Sequence, residues 1–157
     1  MEGIRTEQSR IEVKSLIDEA CRLMDEVAQR KNITIENTTP SAIYVFGDLN
    51  QVQLILRNLI HNAIKFSKAD SKVLVSAFSD IPMCCIQIKD FGIGMTKEET
   101  EVVLGQEYFT KAGTQQEKGT GLGLLLCKEF IKRNGGTLDI QSHSGQGTEV
   151  SFSLPLA

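Results

Sequence analysis

Asn58, Asn62 and Lys65 stand four and then three residues apart, so a helix through them brings two carboxamides and an ammonium onto one face. An Asn carbonyl is a hard oxygen ligand suited to Mg2+, which keeps several waters and is otherwise held by substrate phosphates, while a lysine supplies a point charge for phosphate. The trio reads as a shelf for a magnesium nucleotide; the same residue types also make ordinary solvated helix faces. A second candidate is Asp90, followed by Gly92 and Gly94. Glycines one residue apart let backbone turn sharply and approach a ligand, and a buried carboxylate beside them can accept from an exocyclic amine such as adenine N6. A third is Gly119-Thr120-Gly121-Leu122-Gly123, which opens a helical pattern and leaves backbone N–H groups free at the positive end of a helix dipole, where phosphate binds. It is not a Walker A loop, because no Gly-Lys-Ser/Thr follows, and it does not sit in the short strand-to-helix turn of a Rossmann fingerprint.

These groups need elements to hold them. Val52, Ile55, Leu56, Leu59, Ile60, Ala63 and Ile64 recur at helical spacing, which predicts a helix over 48–67 that Asp48 caps and that packs one side on a core. Before it, alternation predicts a short strand over 10–13, helical spacing a helix over 15–31, and two strands follow over 33–37 and 42–46 with a turn at Pro40. After it come strands over 72–79 and 83–90, expected to pair as a hairpin, and a short capped helix over 96–104 after Thr96. Periodicity is lost over 105–119, a stretch of lid length. A helix over 120–133 ends at Asn134-Gly135-Gly136, and a final hairpin pairs 137–142 with 148–154. Helices and strands come in mixed order rather than strict alternation, so the expected class is α+β, a two-layer sandwich with a mixed sheet and helices on one face.

The bulk composition narrows the function classes. At 157 residues, 41% hydrophobic and 24% charged, the chain is expected to form one globular domain over 1–157. A net charge of −3 gives no electrostatic footprint for nucleic acid. No apolar run reaches the roughly 20 residues of a membrane helix and the start is polar, so no membrane contact and a cytoplasmic location are expected. Cys21, Cys84, Cys85 and Cys127 show no C-x-x-C spacing, and adjacent Cys84 and Cys85 point to opposite faces of a strand; they are expected to be four small buried hydrophobes in a reducing compartment. His61 and His143 lie far apart, which disfavours zinc.

Four segments in order resemble the GHKL ATP-binding superfamily: NLIHNAIKF its N box, DFGIGM its first glycine box, EYFTK its F box region and KGTGLGL its second glycine box. The flanking GDLNQV run and the closing SGQGT hairpin resemble the family too, so the likeness covers nearly the whole chain. The resemblance implies a Bergerat fold that binds ATP with Mg2+. It makes Asn62 the Mg2+ ligand, Asn58 a neighbour that orients phosphates or metal-bound water, and Lys65 a phosphate partner. It makes Asp90 the acceptor from adenine N6, with Gly92 and Gly94 shaping the base pocket. Lys118, Gly119, Thr120, Gly121, Leu122 and Gly123 would serve the phosphates at the hinge of a lid over 105–118, with Phe109 as its anchor and Lys111 and Lys118 as alternative basic contacts.

Branches of that superfamily with autonomous chemistry generally carry Glu as general base four residues before the metal-binding Asn. Here the residue is Asn58, and an amide cannot take a proton at neutral pH. The chain thus resembles the sensor histidine kinase branch, whose nucleophile lies on a separate helical dimerisation domain. Neither His61 nor His143 has the setting of a phosphoacceptor. The implied function is donation of the γ-phosphate of ATP to a histidine on that domain, with a response regulator as an indirect partner and a monomeric state for the isolated chain. Rival readings are a nucleotide-gated interaction module and an autonomous ATPase, and Asn58 argues against the second.

Overall fold

A computed structural model describes residues 5–105, 113 and 122–157, with Leu122 described by its backbone alone. The elements run β1 (Ser9–Glu12), α1 (Val13–Gln29), β2 (Thr34–Asn37), β3 (Tyr44–Gly47), α2 (Leu49–Phe66), β4 (Lys72–Asp80), β5 (Met83–Asp90), α3 (Lys97–Leu104), α4 (Leu122–Arg133), β6 (Leu138–His143) and β7 (Gly147–Pro155). Five strands form one sheet in the order β2-β4-β5-β7-β6. Only β2–β4 is parallel; the other three pairs are antiparallel, so the sheet is mixed, as expected.

Alternation along the strands decides which face is covered. Val73, Val75 and Ala77 of β4, Ile86 and Ile88 of β5, and Phe152 and Leu154 of β7 are buried in one core with the apolar sides of α1, α2 and α4. Their strand neighbours Leu74, Phe78, Cys85 and Ser151 face the other way and are half-buried or exposed. The fold is thus a two-layer α+β sandwich. Ile55, Leu56, Leu59, Ile60 and Ile64 of α2 are all fully buried, each contributing about 1.5–3 kcal/mol of transfer free energy, which makes α2 the centre of the helical layer.

The strands β1 and β3 differ from a single-sheet expectation. They pair with each other as a separate two-stranded sheet, and among the described residues β3 is linked to the segment just after β7 by a bridge between Val45 and Leu156 and a bond from Ala157 N to Tyr44 O of 2.9 Å.

Capping fixes both ends of the site-bearing helix. Asp48 Oδ1 accepts from Gln51 N at 3.0 Å and its Oδ2 from Glu7 N at 2.8 Å, satisfying donors that the first turn of α2 and the N-terminal segment leave open. Asp48 N donates to Oδ1 of fully buried Asn134 at 2.7 Å, and Asn134 Nδ2 donates to Gln51 Oε1 at 2.9 Å and Phe130 O at 2.7 Å. The start of α2 is thereby tied to the end of α4. Further along, Cys127 packs on Ile55 O, and Gly123 faces Asn58, so the helices run antiparallel and the first turn of α4 comes beside the middle of α2. The expected box at α3 is present, with Thr96 Oγ1 accepting from Glu99 N and Glu99 Oε1 from Thr96 N.

All four cysteines are free thiols. Cys84 and Cys127 are buried as expected, whereas Cys21 and Cys85 are only half-buried, because Cys85 lies on the uncovered sheet face. Burial pushes the Cys84 thiol up to about 11 and that of Cys127 up to about 12, so both behave as inert apolar groups.

Candidate nucleotide site

Asn58 and Asn62 are both half-buried on α2, one turn apart. Asn58 Nδ2 donates back to Leu54 O at 2.9 Å, which fixes the carboxamide and turns Oδ1 toward α4. A β-carbon at Gly123 would lie 2.6 Å from that Oδ1, so glycine is what lets the start of α4 approach the amide. Asn62 makes no side-chain hydrogen bond with any described residue, leaving its carbonyl oxygen available to a hard cation. Lys65 is only 6% exposed and its ammonium lies 5.1 Å from the centre of the Phe66 ring, a depth that helical spacing alone did not indicate.

Asp90 closes β5 and is only 5% exposed. Oδ1 accepts from Gly92 N at 2.9 Å and Thr148 N at 3.2 Å, while no described residue donates to Oδ2. One oxygen is therefore fixed by backbone and the other retains its acceptor capacity. Burial raises this carboxyl to about 6, against the lowering effect of the Gly92 and Thr148 N–H groups.

The two glycines after Asp90 are demanded by neighbouring backbone. A β-carbon at Gly92 would lie 1.8 Å from Phe66 O, and one at Gly94, whose φ is +65°, would lie 2.1 Å from His143 O. Ile93 N also donates to Phe66 O at 3.1 Å, and Gly145 N to Ile93 O at 2.7 Å. The turn is thus wedged between the end of α2 and the β6–β7 connection, which brings the Asp90 carboxylate and the Asn58–Asn62 face into one region.

Residues from the last hairpin lie against Asp90 and were read in the sequence as a hairpin turn resembling the family's, with no role at the site. Gly147, with φ +99°, would place a β-carbon 2.2 Å from Asp90 O, and its conformation lets Thr148 N reach Oδ1. Ser142 Oγ supports both sides, lying 2.7 Å from Thr148 Oγ1 and accepting from Met95 N at 2.8 Å. The pattern Gly145-Gln146-Gly147-Thr148 held the available clue, a turn with two glycines followed by a small hydroxyl.

His61 and His143 are exposed. Phe109, Lys111, Lys118, Gly119, Thr120 and Gly121 lie outside the described residues, as does the side chain of Leu122.

The raised carboxyl makes a stability prediction. Between its ordinary value of 3.8 and about 6 the folded state holds a proton that the unfolded chain has released, so this contribution is complete below about pH 4 and lost as pH rises through 6. Asp90→Asn, which stays neutral, is expected to match the wild type near pH 4 and to exceed it at pH 7 by up to about 3 kcal/mol in urea unfolding, the linkage equivalent of that shift. Equal differences at the two pH values would show that Asp90 is not held against ionisation by burial.

Comparison with known proteins follows the same outline. A family profile described as histidine kinase-, DNA gyrase B-, and HSP90-like ATPase matches residues 47–157. Sensor protein EvgS of Escherichia coli K12 is 30% identical over 152 residues, covering 93% of this chain and 13% of that protein. Sensor histidine kinase WalK of Bacillus subtilis strain 168 is 36% identical over 124 residues, covering 77% and 20%. The chain thus spans a small fraction of the length of these relatives. Among solved structures, the nucleotide-free catalytic domain of histidine kinase ThkA superposes with a TM-score of 0.82 at 25% identity, covering 95% of both chains. Full-length ShkA in complex with AMPPNP gives 0.84 at 25% identity, over 98% of this chain and 32% of that one.

Proposed function

The chain belongs to the histidine kinase-, DNA gyrase B-, and HSP90-like ATPase family, and from that membership we propose that it binds Mg-ATP and donates the γ-phosphate to a histidine on a separate helical dimerisation domain, as the kinase half of a two-component sensor. The observation that carries this reading is the Asp90 carboxylate. It is buried, with Oδ1 fixed by two backbone N–H groups and Oδ2 without a described donor, a setting that suits acceptance from the exocyclic amine of adenine.

The remaining roles rest on chemistry of the same kind. Asn62 offers a carbonyl oxygen that no described residue engages, and the donor set fits Mg2+, which takes few protein ligands beside phosphate and water. When bound, such an ion neutralises charge on the terminal phosphates. Asn58 would orient phosphates or metal-bound water through Oδ1, its carboxamide being fixed by the donation of Nδ2 to Leu54 O. Lys65 would supply a cation to the phosphates, and by the family resemblance Lys118, Gly119, Thr120, Gly121, Leu122 and Gly123 would serve the phosphates at the hinge of a lid over 105–118, with Phe109 as its anchor and Lys111 or Lys118 as its basic contact. Transfer is then mainly positioning and charge stabilisation while the partner histidine attacks in line.

Two features favour this reading over an autonomous ATPase. No carboxylate occupies position 58, and the Asn there uses its N–H on its own helix, so it cannot relieve an attacking water of a proton. The relatives EvgS and WalK are sensor proteins in which the matching segment is 13% and 20% of the whole, leaving ample chain for a histidine-bearing domain. The direct test is to mix this chain with a histidine-bearing helical domain from its parent or a relative and follow [γ-32P]ATP. Label on the partner that is acid-labile and alkali-stable is expected. Label on neither protein, with nucleotide demonstrably bound, would favour the nucleotide-gated module instead.

A further inference from the structure

Lys31 lies in the turn between α1 and β2, outside every motif of the nucleotide site, yet it is 5% exposed and its ammonium is spent on α2. Nζ donates to Ile64 O at 3.0 Å and to Lys65 O at 3.1 Å. An α-helix leaves its last four carbonyls without intrahelical partners, and for α2 these are those of Ala63, Ile64, Lys65 and Phe66. Ser67 Oγ takes the first at 2.6 Å, Ser67 N and Lys31 Nζ share the second, Lys31 Nζ also reaches the third, and Ile93 N takes the fourth at 3.1 Å. The ammonium also places a full positive charge at the negative end of the helix dipole, in a buried setting where screening is weak.

The backbone of Lys31 is itself anchored. Asp70 N donates to Lys31 O at 3.0 Å, and the neighbouring Asn32 Nδ2 donates to Asp70 Oδ1 at 2.7 Å, so the stem of the side chain is held by the connection that follows α2. The carbonyl adjacent to the two that Lys31 holds is Phe66 O, from which the Asp90 turn hangs through Ile93 N and against which Gly92 is closely packed.

We propose that Lys31 is a positioning residue for nucleotide binding: by clamping the last turn of α2 it sets the separation between the Asn62–Lys65 end of that helix, which would face the phosphates, and the Asp90 turn, which would face the base. This rests on the Mg-ATP reading above. A ligand that spans both halves senses their separation, whereas one that touches only the Asp90 half does not.

Lys31→Met keeps length and apolar bulk and removes the donor and the charge. At a temperature where it is fully folded, its affinity for Mg-ATP is expected to drop about tenfold while its affinity for adenosine changes by less than about threefold. Exchange of the Ile93 amide should speed up, and Lys31→Arg, which retains charge and donors, should recover most of the ATP affinity. A lower melting temperature with an unchanged ATP-to-adenosine ratio and unchanged Ile93 exchange would reduce Lys31 to a stabilising residue and overturn the proposal. Lys31→Leu, which likewise lacks donor and charge, gives the same readings should the methionine variant not fold. Ile93 exchange is measured without nucleotide, so failure of the wild type to bind Mg-ATP would refute the functional reading while the clamp itself is still judged on that amide.

Discussion

Asp90→Asn is expected to lower the affinity of the chain for Mg-ATP by about a hundredfold, as the loss of a hydrogen bond to a charged group of about 1.5–3 kcal/mol implies. The reason is a count of donors. Asp90 Oδ1 already accepts from Gly92 N and Thr148 N, and in the proposed site the base amine would bring a third N–H to Oδ2. An asparagine has one acceptor oxygen. If that oxygen stays with the two backbone donors, its NH2 faces the adenine amine; if the carboxamide flips, the NH2 faces the backbone donors. Either arrangement opposes donor to donor. Because the same substitution relieves a buried carboxylate, the ligand-free variant should melt higher than the wild type at pH 7. Calorimetric titration and thermal unfolding on one sample check both halves. Equal ATP affinity in variant and wild type would remove Asp90 from the base site.

Asn62→Ala is the second change with a large expected effect, and it should act on chemistry while leaving the fold alone. The side chain makes no hydrogen bond with a described residue and sits in the interior of α2, where alanine is the better helix former, so stability should stay within about 0.5 kcal/mol. Binding of ATP is expected to lose its dependence on Mg2+. Phosphoryl transfer to a supplied histidine domain should fall roughly a hundredfold or more, since charge stabilisation by a bound divalent ion is worth several kcal/mol. Measuring ATP affinity with Mg2+ and with EDTA decides the matter. A variant that keeps the wild-type response to Mg2+ would assign the ion to other ligands.

Much of this architecture was legible in short-range pattern. The apolar stripe of α2, the Asp48 cap, the Thr96 box, the β4–β5 hairpin and the Gly135 helix end all depend on residues a few positions apart, and each forms as its chemistry dictates. What was not legible depends on distant partners. The strand β1 is four residues long and pairs with β3, which pattern alone cannot tell from joining the main sheet. Thr148 reaches Asp90 across 58 positions and Lys31 reaches Ile64 across 33. Helical spacing put Lys65 on the same stripe as Asn58 and Asn62 but carried no information on what covers it, and the side chain is buried beside Phe66. The glycines of the first box were visible as a turn; that Gly92 and Gly94 are required by the backbones of Phe66 and His143 follows only from the way the turn is wedged into the fold.

These differences bear on how the site works. The Asp90 carboxylate is shaped by three segments, the β5 end, the C-terminus of α2 and the β6–β7 turn. The fold thus holds the Asp90 carboxylate in place without any ligand, which in the proposed role would limit the entropy lost on binding. The Asn pair on α2 shares that rigidity through the tie of α2 to α4 at Asn134 and the approach of Gly123 to Asn58.

The most direct measurement is calorimetric titration of the wild-type chain with Mg-ATP and, separately, Mg-GTP, with phosphate release followed on the ATP sample. Saturable ATP binding, much weaker GTP binding and no steady phosphate release are expected of a kinase half that reads adenine through Asp90 and has an amide at position 58. Absence of ATP binding, equal binding of the two nucleotides, or sustained turnover without a histidine partner would contradict that account.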